Sequence, residues 1–308
     1  MAIEERDVII IGGGPAGLTT AIYSSRSRLD TVVLERGLAG GQMAITENIE
    51  NYPGFPGGIA GMDLAMKMRE QAESFGAVFE TGEVTEISRE KDHLCVGTAA
   101  GLMHAKAVLI ATGTEPRKLK VPGESEYRGR GVSYCATCDG AFFREKDLVV
   151  VGGGDSAVQE SLYLTRFAKR VTIVHRRDEF RAERILQERA VADPKIDFVW
   201  DTELLEIAGN DVVEKVITRN RKSGEEGEIS TDGVFIFVGL LPNTDFLSED
   251  FKRDGLGFLV TDEHLMTSVE GVWAAGDVRA NSFKQVAVAV GEGAIAAGAM
   301  EHHIQSLG

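Results

Sequence analysis

One arrangement occurs twice in this chain, at a constant offset of 140 residues, and it limits the possible folds more than any other feature. The apolar run Asp7-Val8-Ile9-Ile10-Ile11 leads directly into Gly12-Gly13-Gly14-Pro15-Ala16-Gly17, followed by a helical apolar pattern through Leu18, Ile22 and Tyr23. A second apolar run, Thr31-Val32-Val33-Leu34, ends on the acid Glu35. The order then returns as Leu148-Val149-Val150-Val151, Gly152-Gly153-Gly154-Asp155-Ser156-Ala157, a helix through Val158, Leu162 and Leu164, and the strand Val171-Thr172-Ile173-Val174. Gly12 maps to Gly152, Gly14 to Gly154, Gly17 to Ala157 and Glu35 to His175. Each copy is a strand, glycine turn, helix and strand of about 30 residues, the length of one βαβ unit.

The pattern predicts an α/β fold with two Rossmann-like nucleotide-binding domains. A length of 308 residues accommodates two domains, and 43% hydrophobic content supplies a core for each. Glycine supplies 36 residues, well above the average share and without a collagen-like period, which marks close backbone approaches. The charge balance, 33 Lys+Arg against 48 Asp+Glu, is −15 and argues against a phosphate-backbone partner. No nucleic-acid partner is expected. The longest uncharged stretch, Val8 to Ser25, is broken by glycines and Pro15 and makes a poor membrane span. Three cysteines cannot build a disulfide framework, and the first residues lack the basic then apolar order of a signal peptide. The chain is therefore read as cytoplasmic.

Each glycine in such a turn has a task. The first (Gly12, Gly152) permits the sharp turn, the second (Gly14, Gly154) lets the backbone approach a pyrophosphate, and the third (Gly17, Ala157) lets helix and strand pack closely. Pro15 and Ala16, and in the second copy Asp155 and Ser156, open the helices whose N-termini hold the anion. The copies differ at the tip of the second strand. Glu35 suits an unphosphorylated adenosine ribose, as in FAD or NAD, because a carboxylate accepts from a 2′-hydroxyl. His175-Arg176-Arg177, with Arg181 four residues on, suits a 2′-phosphate, and NADPH is the natural occupant. A hydride donor needs an acceptor, so the first site is assigned FAD. Two further segments agree: Ala111-Thr112-Gly113 ends an apolar run, and Gly276-Asp277 ends another. Beyond them Gln285 and Val286 open an Ala/Gly-rich helix whose N-terminal dipole favours negative charge. Asp277 reads equally well as a turn or cap residue.

Cys135-Ala136-Thr137-Cys138 is the chain's one C-x-x-C. Zinc would need two more ligands, and no pair at zinc spacing supplies them, so no metal site is assigned. A redox dithiol is the better reading, since the short spacer gives one attacking thiolate and one resolving sulfur. Asp139 is a candidate proton shuttle, or else a local turn carboxylate. Cys95 is expected to be a buried small hydrophobe.

Taken with Gly40-Gly41-Gln42, Glu50-Asn51-Tyr52-Pro53-Gly54-Phe55-Pro56 and the motifs above, the chain resembles the low-molecular-weight thioredoxin reductases of the bacterial type over essentially its full length. The resemblance implies an FAD domain split into 1–114 and 245–308, an inserted NADPH domain over 115–244, a homodimer, and a domain rotation. It adds Gly41, Gln42 and Asn51 to the cofactor site. It also implies that hydride passes from NADPH to FAD, that Cys138 is the flavin-side sulfur, that Cys135 attacks the disulfide of thioredoxin, and that Asp139 is the acid/base. Lys284, where an arginine commonly precedes Gln285, and Gln159, where an acid is common, depart from the pattern. Two other readings stay open: the same chemistry on another dithiol protein, and a flavin-bound redox sensor without turnover.

Overall fold

The computed structural model describes residues 4–90 and 93–307. The chain forms two compact units, Met1–Glu115 with Leu241–Gly308, and Pro116–Leu240. It passes between them twice.

The first unit is built on β1 (Glu4–Ile11), α1 (Pro15–Arg26), β2 (Thr31–Glu35), the short α2 (Gly41–Ala44), α3 (Gly61–Ser74) and β3 (Val78–Thr81). Then come β4 (Val84–Glu90), β5 (His93–Thr98) and β6 (Gly101–Ile110). Strand order in the sheet is β3-β2-β1-β6-β5-β4. Strands β1, β2 and β3 are parallel to one another, and β1 is parallel to β6, whereas β4, β5 and β6 form an antiparallel meander. Two-sided burial explains why β1 reads as an unbroken apolar run. Ile9 and Ile11 join one core cluster with Val32 and Leu34, while Val8 and Ile10 join another with Val33.

The second unit repeats the parallel plan. After β7 (Thr114–Pro116), which ends at the crossing, come β8 (Val132–Ser133), α4 (Ala136–Asp139), a 3-10 turn over Gly140–Phe143, β9 (Asp147–Gly152) and α5 (Asp155–Leu164). They are followed by β10 (Arg170–Val174), α6 (Arg184–Ala192) and β11 (Ile196–Val199). A three-stranded antiparallel sheet, β12 (Thr202–Gly209), β13 (Val213–Asn220) and β14 (Glu226–Ser230), precedes β15 (Gly233–Phe237). The main sheet has the all-parallel order β11-β10-β9-β15-β8. Leu148 and Val150 face one core cluster, Val149 and Val151 the other.

After β16 (Leu240–Pro242), which pairs with β7, the chain rejoins the first unit through β17 (Val272–Ala274) and α7 (Val286–Leu307). Strand β6 is shared along its length: its first half pairs with β5, while Val108–Ile110 pairs in parallel with β17. Helix α7 lies on α1, and the approach demands a small residue, because a Cβ on Gly293 would collide with the Ala16 carbonyl. Thr20 Oγ1 donates to the Gly293 carbonyl at 2.9 Å at the same contact. Among the described residues no helix is long and apolar enough to cross a membrane.

Candidate active site

In the first unit the carboxyl ends of three neighbouring parallel strands converge. The Ala111 N–H donates to the Ile11 carbonyl (2.8 Å) and the Ala275 N–H to the Ile110 carbonyl (3.1 Å). Gly12 has φ +105°, and a Cβ there would run into the Ala111 carbonyl; the helix-borne Gly17 packs directly on the Gly12 carbonyl. At Gly14 a Cβ would meet nothing within 4 Å, so the turn opens to whatever the helix receives. Gly14 caps α1 with extended backbone and no side-chain hydrogen bond, which leaves the first N–H groups for a ligand. Pro15 starts α1, Ala16 is buried, and a Cβ on Gly276 would lie 3.1 Å from the Ala16 methyl, so Gly276 also belongs to this turn. Gly41 sits against the Gly14 Cα in the same way.

Glu35 stands at the tip of β2, where each carboxylate oxygen takes one backbone donor: Gly13 N–H at 2.7 Å and Gly37 N–H at 2.9 Å. Lone pairs remain on both oxygens for a ribose hydroxyl. Asn51 donates to Gln285 Oε1 (2.9 Å), Gln42 reaches the Thr114 carbonyl (3.4 Å), and Thr112 Oγ1 donates to the Asn243 carbonyl (2.8 Å). Gln285 therefore leads into α7, which begins at Val286, already tied to the Asn51 segment. Asp277, next to Gly276, is pushed up from the usual carboxylate range by burial, opposed by Lys284 and reinforced by Glu292. Lys284 donates to the carbonyls of Asp277 and Arg279 (2.7 Å each), and its pKa is lowered by burial.

Sequence reasoning passed over Glu292. Its carboxylate accepts from the Gly276 N–H (2.7 Å), Arg279 (2.6 Å) and Ser282 (2.9 Å), which pins the Gly276-Asp277 turn to α7. The available signal was a lone acid in an otherwise apolar stretch.

The second unit repeats the cradle with different walls. A Cβ on Gly154 would again meet nothing within 4 Å, and Gly154 caps α5 without a side-chain hydrogen bond. Gly152 has φ +150°, and Ala157 packs beneath it. Asp155 accepts from the Glu183 N–H (2.7 Å) and the Gly153 carbonyl from the Arg181 N–H (2.7 Å), which holds the arginine-bearing loop to the glycine turn. Ser156 is exposed on the first turn of the helix. Arg176, Arg177 and Arg181 are exposed, and no described carboxylate pairs with their guanidinium groups. His175 differs from its neighbours. It is 4% exposed, its ring fills the space a Cβ on Gly153 would take, and burial followed by the three arginines lowers its pKa. The ring is a wall of the turn and not one of its cations.

Cys135 and Cys138 are joined in a disulfide at opposite ends of the first turn of α4, with Cα atoms 5.3 Å apart. Cys135 is half-buried and Cys138 exposed, and the Cys138 N–H donates to Cys135 Sγ at 3.2 Å. That amide offers charge-assisted hydrogen bonding to a Cys135 thiolate once the bond is opened. Asp139 is held by Ser133, whose hydroxyl donates to Oδ2 at 2.6 Å and accepts from the Cys135 N–H at 3.1 Å. Tyr134 donates to Glu124 Oε1 (2.7 Å), and Leu119 and Lys120 N–H groups donate to the same buried carboxylate (2.8 and 2.6 Å). Burial and the Glu124 bond raise the Tyr134 pKa, so the phenol stays a donor. Ser133, Tyr134 and Glu124 carry no motif, and only the folded register reveals them.

The profile of the pyridine nucleotide-disulphide oxidoreductases matches residues 6–293, a span that includes both glycine turns and the disulfide. The chain belongs to this family. Within the family it is 51% identical to a thioredoxin reductase of Bacillus subtilis over 306 residues, covering 98% of this chain and 95% of that protein. The crystal structure of Lactococcus lactis thioredoxin reductase superposes with a TM-score of 0.96 at 48% identity, covering 98% of this chain and 99% of that one. The T. acidophilum thioredoxin reductase superposes at 0.94 with 38% identity, over 99% of this chain and 100% of its own. The oxidoreductase is thus similar along its whole length to thioredoxin reductases.

Proposed function

We propose that the protein is an NADPH-dependent reductase of thioredoxin, working through FAD and the Cys135–Cys138 pair. The observation that carries this reading is the disulfide, exposed at Cys138, with its acid already held in place, in a chain with two open glycine cradles of different polarity. In this reading residues 1–114 and 245–308 form the FAD domain and 115–244 the NADPH domain. The cradle at Gly12, Gly14 and Gly17, with Glu35 for the ribose, fits FAD, and Gly41, Gln42, Asn51, Ala111, Thr112, Gly113, Gly276, Asp277, Gln285 and Val286 complete the site. Gly152, Gly154, Asp155, Ser156 and Ala157 fit the NADPH pyrophosphate, and the three exposed guanidinium groups of Arg176, Arg177 and Arg181 fit its 2′-phosphate.

FAD held in the first cradle would supply the two-electron relay between NADPH and the disulfide. Two electrons and two protons convert the Cys135–Cys138 disulfide to the dithiol, with hydride supplied by NADPH and one proton by solvent. Cys138 is the sulfur that receives the electrons. Cys135 then gives its thiol proton to the Asp139 carboxylate and attacks the thioredoxin disulfide, forming a mixed disulfide, and Asp139 returns that proton to the released thiolate. Cys138 attacks Cys135 Sγ and its thiol proton passes to the departing thioredoxin sulfur, which re-forms the internal bond and frees dithiol thioredoxin.

Helices α1, α3 and α7 leave Tyr23, Met66 and Ile295 exposed, apolar surface that supports a homodimer. NADPH-driven dithiol chemistry and a net charge of −15 support a cytoplasmic protein without a nucleic-acid partner. The decisive experiment is the rate of NADPH oxidation with and without the host's own oxidised thioredoxin. Fast turnover that requires thioredoxin, and that Cys138→Ser abolishes while FAD and NADPH still bind, is expected. A flavin bleached by NADPH with no thioredoxin dependence overturns the choice of partner.

A further inference from the structure

On the meander of the first unit, β5 and β6 pair with Cys95 directly opposite His104. His93 precedes Cys95 by two positions, so all three side chains leave the same face of the sheet. The opposite face of this hairpin is already filled: Leu94, Val96, Met103 and Ala105 lie in the core. On the Cys95 face, the thiol and both imidazoles bring ligand atoms that all lie within 4.8 Å of one another. The two rings stack with centroids 4.0 Å apart. Cys95 is 1% exposed, and the buried His104 Nε2 has no hydrogen-bond partner. A buried imidazole nitrogen left unpaired is destabilising, so its presence calls for a ligand.

We propose that His93, Cys95 and His104 bind one divalent cation of the zinc class, with a fourth position open to water. One thiolate and two imidazoles are a borderline-soft donor set, which suits zinc and disfavours the oxygen-seeking Mg²⁺ and Ca²⁺. With Zn–N about 2.0 Å and Zn–S about 2.3 Å, tetrahedral donors stand roughly 3.3–3.8 Å apart. The 4.8 Å spread exceeds the upper end of that range by about 1 Å, a gap that rotation of the two half-buried rings would have to close. Partners for the ligands are in place as well. Ser88 stands opposite Cys95 on β4, and Glu90, opposite His93, sets a negative charge beside the group. The site lies seven residues along β6 from Ala111, about 23 Å at 3.3 Å per residue, so the ion takes no part in hydride transfer. It clamps β5 to β6 and occupies the one cysteine outside the disulfide.

The test uses flavin-loaded protein with Cys135–Cys138 oxidised, stripped of metal and equilibrated with Zn²⁺, with bound metal counted by plasma mass spectrometry. Co²⁺ serves as an optical probe, because tetrahedral cobalt–thiolate bands fall to the red of flavin absorption. One equivalent of Zn²⁺ is expected, with cobalt bands that appear in the wild type. Outer-shell changes alone weaken such sites by about tenfold or more, so Cys95→Ser and His104→Gln each weaken binding beyond that. The more accessible His93→Gln does the same and covers the case in which a buried substitution fails to fold. A Cys135→Ser/Cys138→Ser variant keeps the equivalent. Absence of stoichiometric Zn²⁺ from the wild type, undiminished binding in His93→Gln, or loss of the ion in the dithiol variant overturns the proposal.

Discussion

Replacing Arg176 and Arg181 together by alanine tests the nucleotide assignment at its most exposed point. Both guanidinium groups reach solvent and neither has a described carboxylate partner, so no internal ion pair is broken by their removal. The backbone beneath them stays anchored by the Arg181 N–H to Gly153 carbonyl bond at 2.7 Å and by Asp155 on the Glu183 N–H. Stability should therefore move by no more than about 0.5 kcal/mol. A charge-assisted hydrogen bond contributes about 1.5–3 kcal/mol, and solvent exposure places these two at the lower end. Two such bonds total about 3 kcal/mol, which at 1.4 kcal/mol per decade is roughly a hundredfold in NADPH affinity. NADH lacks the 2′-phosphate and should lose less than about threefold. Stopped-flow bleaching of the flavin as a function of NADPH and NADH concentration reads both constants in one preparation. The NADPH loss should also shrink as salt is raised, since exposed charges are screened. Equal losses for the two nucleotides would refute the reasoning.

Other substitutions probe the rest of the machinery. Burial raises the Asp277 pKa, so between its unfolded and native pKa values the native state binds more protons than the unfolded chain does. Its contribution is most favourable at low pH and is lost as pH rises through the native pKa. Asp277→Asn should accordingly raise the melting temperature of the flavin-free protein at neutral pH while weakening FAD, and a lower flavin-free melting temperature would contradict this. Ser133→Ala frees the Asp139 carboxylate and should slow dithiol oxidation by thioredoxin about tenfold or more, with flavin reduction by NADPH untouched. If both half-reactions slow equally, Ser133 is not acting through Asp139. Glu124→Ala strands two backbone N–H groups and the Tyr134 hydroxyl, and urea unfolding should report a loss of about 3–5 kcal/mol. A loss under about 1 kcal/mol would show that water replaces the carboxylate.

The features visible in the sequence are those with a fixed spacing along the chain. Strand β1, turn and α1 are local, so Gly12, Gly14, Gly17 and Glu35 could be read as one device, and their second copy likewise. The redox pair was legible for the same reason. What escaped depends on register between strands that nothing local specifies. Cys95 looked solitary because His104 reaches it across a hairpin. His175 looked like part of a basic run, yet its position at the end of β10 turns the ring inward while Arg176 and Arg177 turn out. The Glu124–Tyr134 bond spans ten residues with no periodicity to announce it. Strands β12 to β14 also carried no distinguishing motif.

The pairing of β17 with the far half of β6 also bears on the order in which the chain matures on the ribosome. Residues 116–240 emerge as a complete parallel sheet with its helices, while the earlier-made segment still lacks the strand that covers Val108–Ile110 and the helix that closes on Ala16. The middle of the polypeptide can therefore consolidate before its beginning does. The opening residues wait, with the apolar edge of β6 and the groove of α1 uncovered, for the last stretch to be translated. A nascent chain stalled just before residue 272 should accordingly protect the inserted unit from protease and leave the first strands open to cleavage.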